Sequence, residues 1–466
     1  MSLNHAQTEA VAHNKGPCMV LAGPGSGKTL TIAKRIEYLI MKHKVRPEEI
    51  LVITFTKYAA WEMKNRTRSI CGPSSYAVTF GTFHGIYYGI LKWAYRLNQS
   101  NLLSDEEKYR ILREILPGID WDQEPEADEE KDYLQELAIE IGNVKNNCMD
   151  IEEYEPVKYT TEKFRKLYRT YEETKKKYRK IDFEDMLIQC RDLFMKRPDI
   201  LKKWQEKFQY ILVDEFQDIN QLQYDIVRML AKPQDNLFVV GDDDQSVYGF
   251  RGAKPGIMME FMKDYPKARQ ILLDVNYRSS GYIVKGALRV IGNNKIRFEK
   301  KIEAFRKPDE TVHVQEVKDP VQEAEYVLER IREYREKGVS YTEMAVLYRT
   351  NVDARAMSEL MTEYQIPFVM KEHLNNIYEH FIAQDISSYF HLSQGEYSRK
   401  YFLQIANRPN RFFSRDSMKG GTVTYDSLRE YYRDKNWMTD RSHRSRENGE
   451  KESRLRFRKK ESGIRM

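Results

Sequence analysis

The sequence is poor in cysteine and lacks any long apolar run. Its 466 residues include only Cys18, Cys71, Cys148 and Cys190. These form no CxxC pair and no metal-ligand spacing, so neither a zinc site, an iron–sulfur cluster nor a disulfide framework is indicated. No stretch approaches the roughly 18 apolar residues of a membrane span. The start, MSLNHAQTEAVAHNKG, has no apolar core of the signal-peptide kind. A cytoplasmic protein with no membrane partner is the expectation. The body of the chain also lacks a charge bias. The formal net charge is +6, and residues 441–466 hold ten Lys/Arg against four Asp/Glu, which accounts for all of it. Charge alone therefore does not mark a nucleic-acid binder. The basic tail, 441–466, reads as a solvated, disordered segment, with nucleic-acid contact as the alternative.

What is present is a set of short, continuous apolar runs separated by helical patterns. CMVLA, ILVITFT, YILVD and LFVVGD suit parallel strands covered on both faces. Leu222, Ile226, Met229 and Leu230 fall on one helix face between two of them, and this alternation predicts an α/β domain with a parallel sheet. Residues 89–182 differ: they are rich in Tyr, Lys and Glu, contain the acidic loop EPEADEEKD, and space Phe164, Leu167, Tyr168 and Tyr171 as one helix face. They read as a helical insertion, after which Asp182 and Asp185 resemble a helix start. From about 280 a second α/β unit is expected, with VHVQEV and MAVLYRT as strands around a helix that carries Ala324, Val327, Leu328 and Ile331. Gly338 is placed to end that helix.

The chemistry begins with AGPGSGKT, which is Ala22, Gly23, Pro24, Gly25, Ser26, Gly27, Lys28 and Thr29. It follows a predicted strand and opens a predicted helix, as a phosphate-binding loop requires. Backbone N–H groups wrap the phosphates, Lys28 reaches the terminal ones, and the Thr29 hydroxyl suits Mg²⁺. The strand YILVD ends in Asp214 and Glu215, one acid for a nucleotide-bound Mg²⁺ and the next for activating a water. Alone, these acids could be a solvated strand end; with the loop they indicate an NTPase. VGDDDQSVYGFRGA, residues 240–253, joins carboxylates and an amide to aromatics and an arginine. The first group suits a metal–phosphate site and the second stacked bases.

LNHAQTEAV, AGPGSGKT, VITFTKYAAWEM, FGTFHGI, VDEFQDINQLQ, VGDDDQSVYGFRGA and NYRSS resemble, in order and approximate spacing, the UvrD/Rep family of superfamily 1 DNA helicases over roughly residues 1–435. The resemblance implies a P-loop NTPase with RecA-like parallel sheets and helical insertions. The first RecA-like domain would be 1–88 with 183–279, the insertion 89–182, the second domain's N-terminal part 280–380, and the start of a second insertion 381–440. It implies ATP-driven 3′→5′ translocation on single-stranded DNA and unwinding at single-strand/duplex junctions, in repair or replication, with ATP and Mg²⁺ as cofactors. By position, Gln7 would meet the adenine edge and Tyr277 its face. Asp214 would meet Mg²⁺ and Glu215 activate water, while Gln217 and Gln245 would stand near the γ-phosphate and Arg278 would supply positive charge. Thr54, Phe55, Thr82, Phe83, His84, Tyr248, Phe250 and Arg251 would contact DNA, the aromatics stacking on bases at about 1–3 kcal/mol each. For Phe55 and Phe83, core packing is the competing reading, and for His84 a structural hydrogen bond.

The family pattern continues with two further motifs, one including an arginine that reaches the γ-phosphate, and here the resemblance stops near Trp437. The expectation is therefore a truncated chain whose second RecA-like domain is incomplete. A frameshift, a split gene and a functional short form are the competing explanations. The alternative function is a fragment that binds ATP and single-stranded DNA without effective hydrolysis or unwinding. A third is a P-loop protein acting on something other than nucleic acid.

Overall fold

The computed structural model describes residues 3–119, 130–146, 149–246, 256–295, 297–307, 311–371, 378, 380–409, 411 and 413–434. It divides into two units, Met1–Val314 and Gln315–Met466.

In the first unit six strands form one parallel sheet. They are β1 (Cys18–Ala22), β2 (Ile50–Thr54), β3 (Thr79–Thr82), β4 (Tyr210–Val213), β5 (Leu237–Gly241) and β6 (Arg269–Leu273), in the order β3-β2-β4-β5-β1-β6. Val20 is paired with Val240 on one side and Ile271 on the other, and Ile53 with Val213. Every residue of β1, β2, β4 and β5 is buried. Alternation decides which face each side chain serves. Met19, Leu21, Leu51, Ile53, Val213 and Val239 enter one apolar cluster, and Val20, Val52, Leu212 and Val240 the other. Fully burying one such side chain contributes about 1.5–3 kcal/mol.

Between β3 and β4 the chain builds a separate helical core. Leu112, Leu134, Ile141, Phe164, Leu167 and Tyr171 meet there, on the helices Asp105–Ile115, Glu130–Asn146 and Thr161–Lys177. The helix Phe183–Lys196 follows, and its start has the reciprocal cap that the Asp182–Asp185 spacing predicts. The Asp182 side chain accepts from Asp185 N–H at 2.9 Å, and Asp185 accepts from Asp182 N–H at 3.0 Å. The same carboxylates hold two buried ammonium groups. Lys145 Nζ lies 2.6 Å from Asp182 and 2.8 Å from Asp185, and Lys175 Nζ lies 2.9 Å from Asp182. Burial alone would lower the pKa of Lys145, but Asp182, Asp185 and Glu172 outweigh it and raise it. The network ties the insertion's last two long helices to the helix that returns to the sheet.

After β6, a short parallel pair forms from β7 (Val275–Ser280) and β8 (Glu303–Arg306). In the second unit the helices Pro320–Glu336 and Ala354–Glu363 share a core of Ala324, Leu328, Ile331 and Met357. Gly338, at φ +87°, follows the first of them, a left-handed position that suits glycine. A smaller cluster gathers Ala406, Met418, Val423 and Leu428. The expected strands VHVQEV and MAVLYRT are not strands here. Val314 and Leu347 are 94% and 91% exposed. A β-favouring pattern becomes a strand only where a neighbour completes the ladder and a layer covers it, and among the described residues neither stretch has one.

Cys18, Cys71 and Cys190 are buried free thiols, whereas Cys148 and the basic tail lie outside the described residues. Among the described residues no helix is long and apolar enough to cross a membrane.

Candidate functional site

The loop Ala22–Thr29 joins the carboxyl end of β1 to the helix Lys28–Met41. Gly25 and Gly27 adopt φ of +67° and +84°, conformations that open the turn and leave the helix's first N–H groups facing outward. A Cβ on Gly25 would come within 2.7 Å of Asn276 Oδ1 and Arg278 Cβ, so β7 packs directly on the loop. Tyr277 N–H donates to Gly25 O at 3.0 Å. The Ser26 hydroxyl is buried with no partner, a polar atom that a phosphate oxygen could satisfy.

Gln7 and Tyr277 stand beside this loop. Asn4 caps the first helix, His5–Ala12, in a reciprocal box with Gln7. Gln7 Nε2 donates to Ser26 O at 2.9 Å, and Asn4 Nδ2 donates to the Tyr277 hydroxyl at 2.9 Å. Gln7 thus holds the loop's backbone, with one N–H and one carbonyl lone pair left over. The Tyr277 ring leans on Phe305, centroids 5.1 Å apart. Arg278 is exposed.

The acids come from the neighbouring strand ends. Asp214 follows β4 and is buried; burial, and second the adjoining Glu215, push its carboxyl up to about 7. Such a group is one that a divalent cation would draw into its charged form, so Asp214 fits a Mg²⁺ ligand; Thr29 is half-buried at the start of the helix that follows the loop. Glu215 takes a left-handed backbone (φ +51°), a strained conformation of the kind that clusters at functional sites. Its carboxylate lies 2.7 Å from Lys28 Nζ. Gln217, fully buried, donates to Glu215 Oε2 at 2.8 Å and accepts from Asp242 N–H at 3.0 Å. Gln245 Nε2 in turn donates to Asp242 Oδ2 at 2.6 Å. The ends of β1, β4 and β5 therefore converge on one connected polar site.

Five of the residues expected to meet DNA, Thr54, Phe55, Thr82, Phe83 and His84, lie at the ends of β2 and β3, which are neighbours in the sheet. Thr54 is buried and its hydroxyl donates to Thr56 O at 3.1 Å. Phe55 is half-buried, and Thr82 caps the helix Phe83–Tyr95 by accepting from Gly85 N–H. Phe83 is 1% exposed and packs with Tyr87 in the core. It starts a helix whose i, i+4 face turns inward, so it supports the sheet and presents no ring for a base. His84 is half-buried edge-on to Phe183. Its pKa is lowered by burial, against the raising pull of Glu184, so its surroundings favour the uncharged imidazole. Tyr248, Phe250 and Arg251 lie outside the described residues.

Three participants were not anticipated. Asn4 could have been found from the N-x-x-Q spacing that marks a reciprocal cap. Asn276 opens NYRSS, and its Oδ1 accepts from Arg278 and Ser279 N–H at 2.9 and 2.8 Å, a local turn that asparagine favours; Lys300, which meets Asp242 at 2.5 Å, carries no local signal.

A parallel sheet with a glycine-rich loop on β1 and paired acids on β4 defines a P-loop nucleotide-binding protein of the α/β class. Residues 3–266 match the UvrD/REP helicase N-terminal domain, and residues 271–432 the UvrD-like helicase C-terminal domain. The chain belongs to the UvrD/REP helicase family. It is 39% identical over 407 residues to the putative ATP-dependent DNA helicase YjcD of Bacillus subtilis, covering 85% of this chain and 52% of that protein. It is 33% identical over 417 residues to the ATP-dependent DNA helicase PcrA of Staphylococcus aureus, covering 88% and 56%. The chain thus spans about half the length of these relatives. The expectation of a truncated chain with an incomplete second domain is not upheld, because the C-terminal domain matches through residue 432.

Proposed function

We propose that this protein is a DNA-dependent ATPase that moves 3′→5′ on single-stranded DNA and opens duplexes at single-strand junctions. The reading rests on one arrangement: Lys28, Glu215, Gln217, Asp242 and Gln245 form a continuous polar site at the carboxyl ends of three adjacent strands. Family membership and the similarity to YjcD and PcrA, a putative and a named ATP-dependent DNA helicase, support it.

The residues present can perform each task. The N–H groups of Gly25 to Thr29 and the helix start favour the phosphates of ATP. Lys28, which pairs with Glu215, would exchange that carboxylate for the terminal phosphates. Glu215, so released, is free to take a proton from the attacking water, a contribution of about 10²–10⁴-fold. Gln217 and Gln245 would orient that water and the γ-phosphate, and exposed Arg278 would add positive charge as the bond breaks. Asn4, Gln7 and Tyr277 would frame the base. Mg²⁺, held by Thr29 and Asp214, would supply neutralisation of phosphate charge.

On the DNA side, Phe55, Thr82 and His84 are the candidates for the track among the described residues, Thr54 being fully buried with its hydroxyl on Thr56 O; by the resemblance, Tyr248, Phe250 and Arg251 are candidates as well. Uncharged His84 would hydrogen-bond a phosphate without contributing to salt dependence. The test is equilibrium binding of a single-stranded oligonucleotide by wild type and Tyr248→Ala/Phe250→Ala. Affinity should fall roughly tenfold or more if both rings stack; unchanged affinity would remove that loop from the track.

A further inference from the structure

Asp242, Asp243 and Asp244 bring carboxylate oxygens within 4.8 Å of one another. Three like charges so placed repel strongly, yet the place a cation would take is filled. Lys300 Nζ lies 2.5 Å from Asp242, 2.6 Å from Asp243 and 2.7 Å from Asp244, and its side chain is 1% exposed. Arg297 grips Asp244 with two hydrogen bonds of 2.8 and 2.6 Å. Phe298 N–H adds a third contact, to Asp243 Oδ2 at 2.8 Å.

The two sides of this cluster belong to different matched stretches. The three aspartates follow β5 in the stretch matching the N-terminal domain, and residues 297–300 lie in the stretch matching the C-terminal domain, just before β8. β8 pairs with β7, which carries Tyr277 and Arg278. On the other side, Asp242 holds the Gln245 amide and, through its own N–H, Gln217. Gln217 reaches Glu215, and Glu215 reaches Lys28. An unbroken polar path thus runs from the phosphate-loop lysine to Lys300.

We propose that Lys300 and Arg297 are positioning residues: they latch residues 297–300 to the Asp242–Asp244 turn, set Gln245 in place, and couple nucleotide arrival at Lys28 to the segment bearing Tyr277 and Arg278. The coupling rests on the nucleotide-site reading above. A phosphate that takes Lys28 from Glu215 would leave that carboxylate held by Gln217 and free to shift with it, and Gln217 holds the backbone of Asp242. Loosening the latch should therefore be felt in turnover, for which Gln217 and Gln245 must be held in place, and not in ATP affinity, which Lys28 and the phosphate loop carry.

The test uses the full chain with Lys300→Met, Lys300→Arg and the milder, more exposed Arg297→Gln. Hydrogen exchange without nucleotide is read at amides 242–246 and 297–300. A latch requires exchange to rise in both segments together in Lys300→Met and Arg297→Gln, with Lys300→Arg near wild type. Exchange unchanged at 242–246 overturns the proposal. In the ATPase assay kcat should fall roughly tenfold or more, with KM for ATP within about twofold, bound fluorescent ATP analogue at wild-type stoichiometry, and recovery in Lys300→Arg. A parallel loss of kcat and bound analogue indicates only a folding role and overturns it, as does unchanged kcat. Should Lys300→Met fail to fold, Arg297→Gln decides. Wild type that neither binds nor hydrolyses ATP would count against the ATPase reading, while the exchange experiment still decides the latch.

Discussion

Replacing Glu215 by glutamine separates the two tasks assigned to this carboxylate. The change keeps the side chain's shape, and Gln217 Nε2 can still donate to the remaining carbonyl oxygen. It removes the negative charge that faces Lys28 at 2.7 Å and the base that would accept a proton from water. The pair is not deeply buried: the Glu215 side chain is 34% exposed and Lys28 14%. Solvent screening then limits the pair to about 1 kcal/mol or less. Freeing Lys28 should accordingly tighten nucleotide binding by at most about fivefold. Loss of the base should lower turnover by about 10²–10⁴-fold. Titration with a fluorescent ATP analogue gives the first quantity, and phosphate release at saturating ATP the second. Binding preserved or tightened with turnover collapsed is the predicted pattern. Turnover reduced less than threefold, or binding lost along with it, would refute the division of labour between Lys28 and Glu215.

Gly25→Ala should abolish nucleotide binding, because its φ of +67° is unfavourable for alanine and the new Cβ would meet Asn276 Oδ1 at 2.7 Å; analogue titration at full thermal stability of the mutant checks this. Lys145→Met leaves Asp182 and Asp185 sharing a single buried lysine, and should cost about 3–5 kcal/mol in urea denaturation; a loss below about 1 kcal/mol would contradict the buried network's role. For His84 the sign is set by burial, which lowers its pKa from 6.5 in the folded protein. The unfolded chain binds a proton near 6.5 that the folded protein declines, so the stability is present above that pH and is lost as pH falls toward the folded pKa. His84→Asn should therefore flatten the loss of melting temperature as pH falls below 6.5; an unchanged slope would contradict it.

The sheet was legible because its information is local. β1, β2, β4 and β5 are continuous apolar runs, and each proves buried on both faces. Asp182 with Asp185 marks a helix start three residues wide, and the structure closes that cap. What was illegible depends on partners distant in sequence. Lys300 meets Asp242 across 58 residues, and nothing near either position announces the other. Phe83 sits in a motif expected to touch DNA, yet its helix turns it into the core beside Tyr87. VHVQEV and MAVLYRT have the alternation of strands, but alternation supplies neither a ladder partner nor a covering layer.

ATP hydrolysis by the 466-residue chain, with and without a single-stranded oligonucleotide and beside Lys28→Ala, tests the central claim most directly. Turnover stimulated by DNA and absent in Lys28→Ala is the predicted result. Background turnover that DNA does not raise, from wild-type protein that still binds the fluorescent analogue, would contradict it.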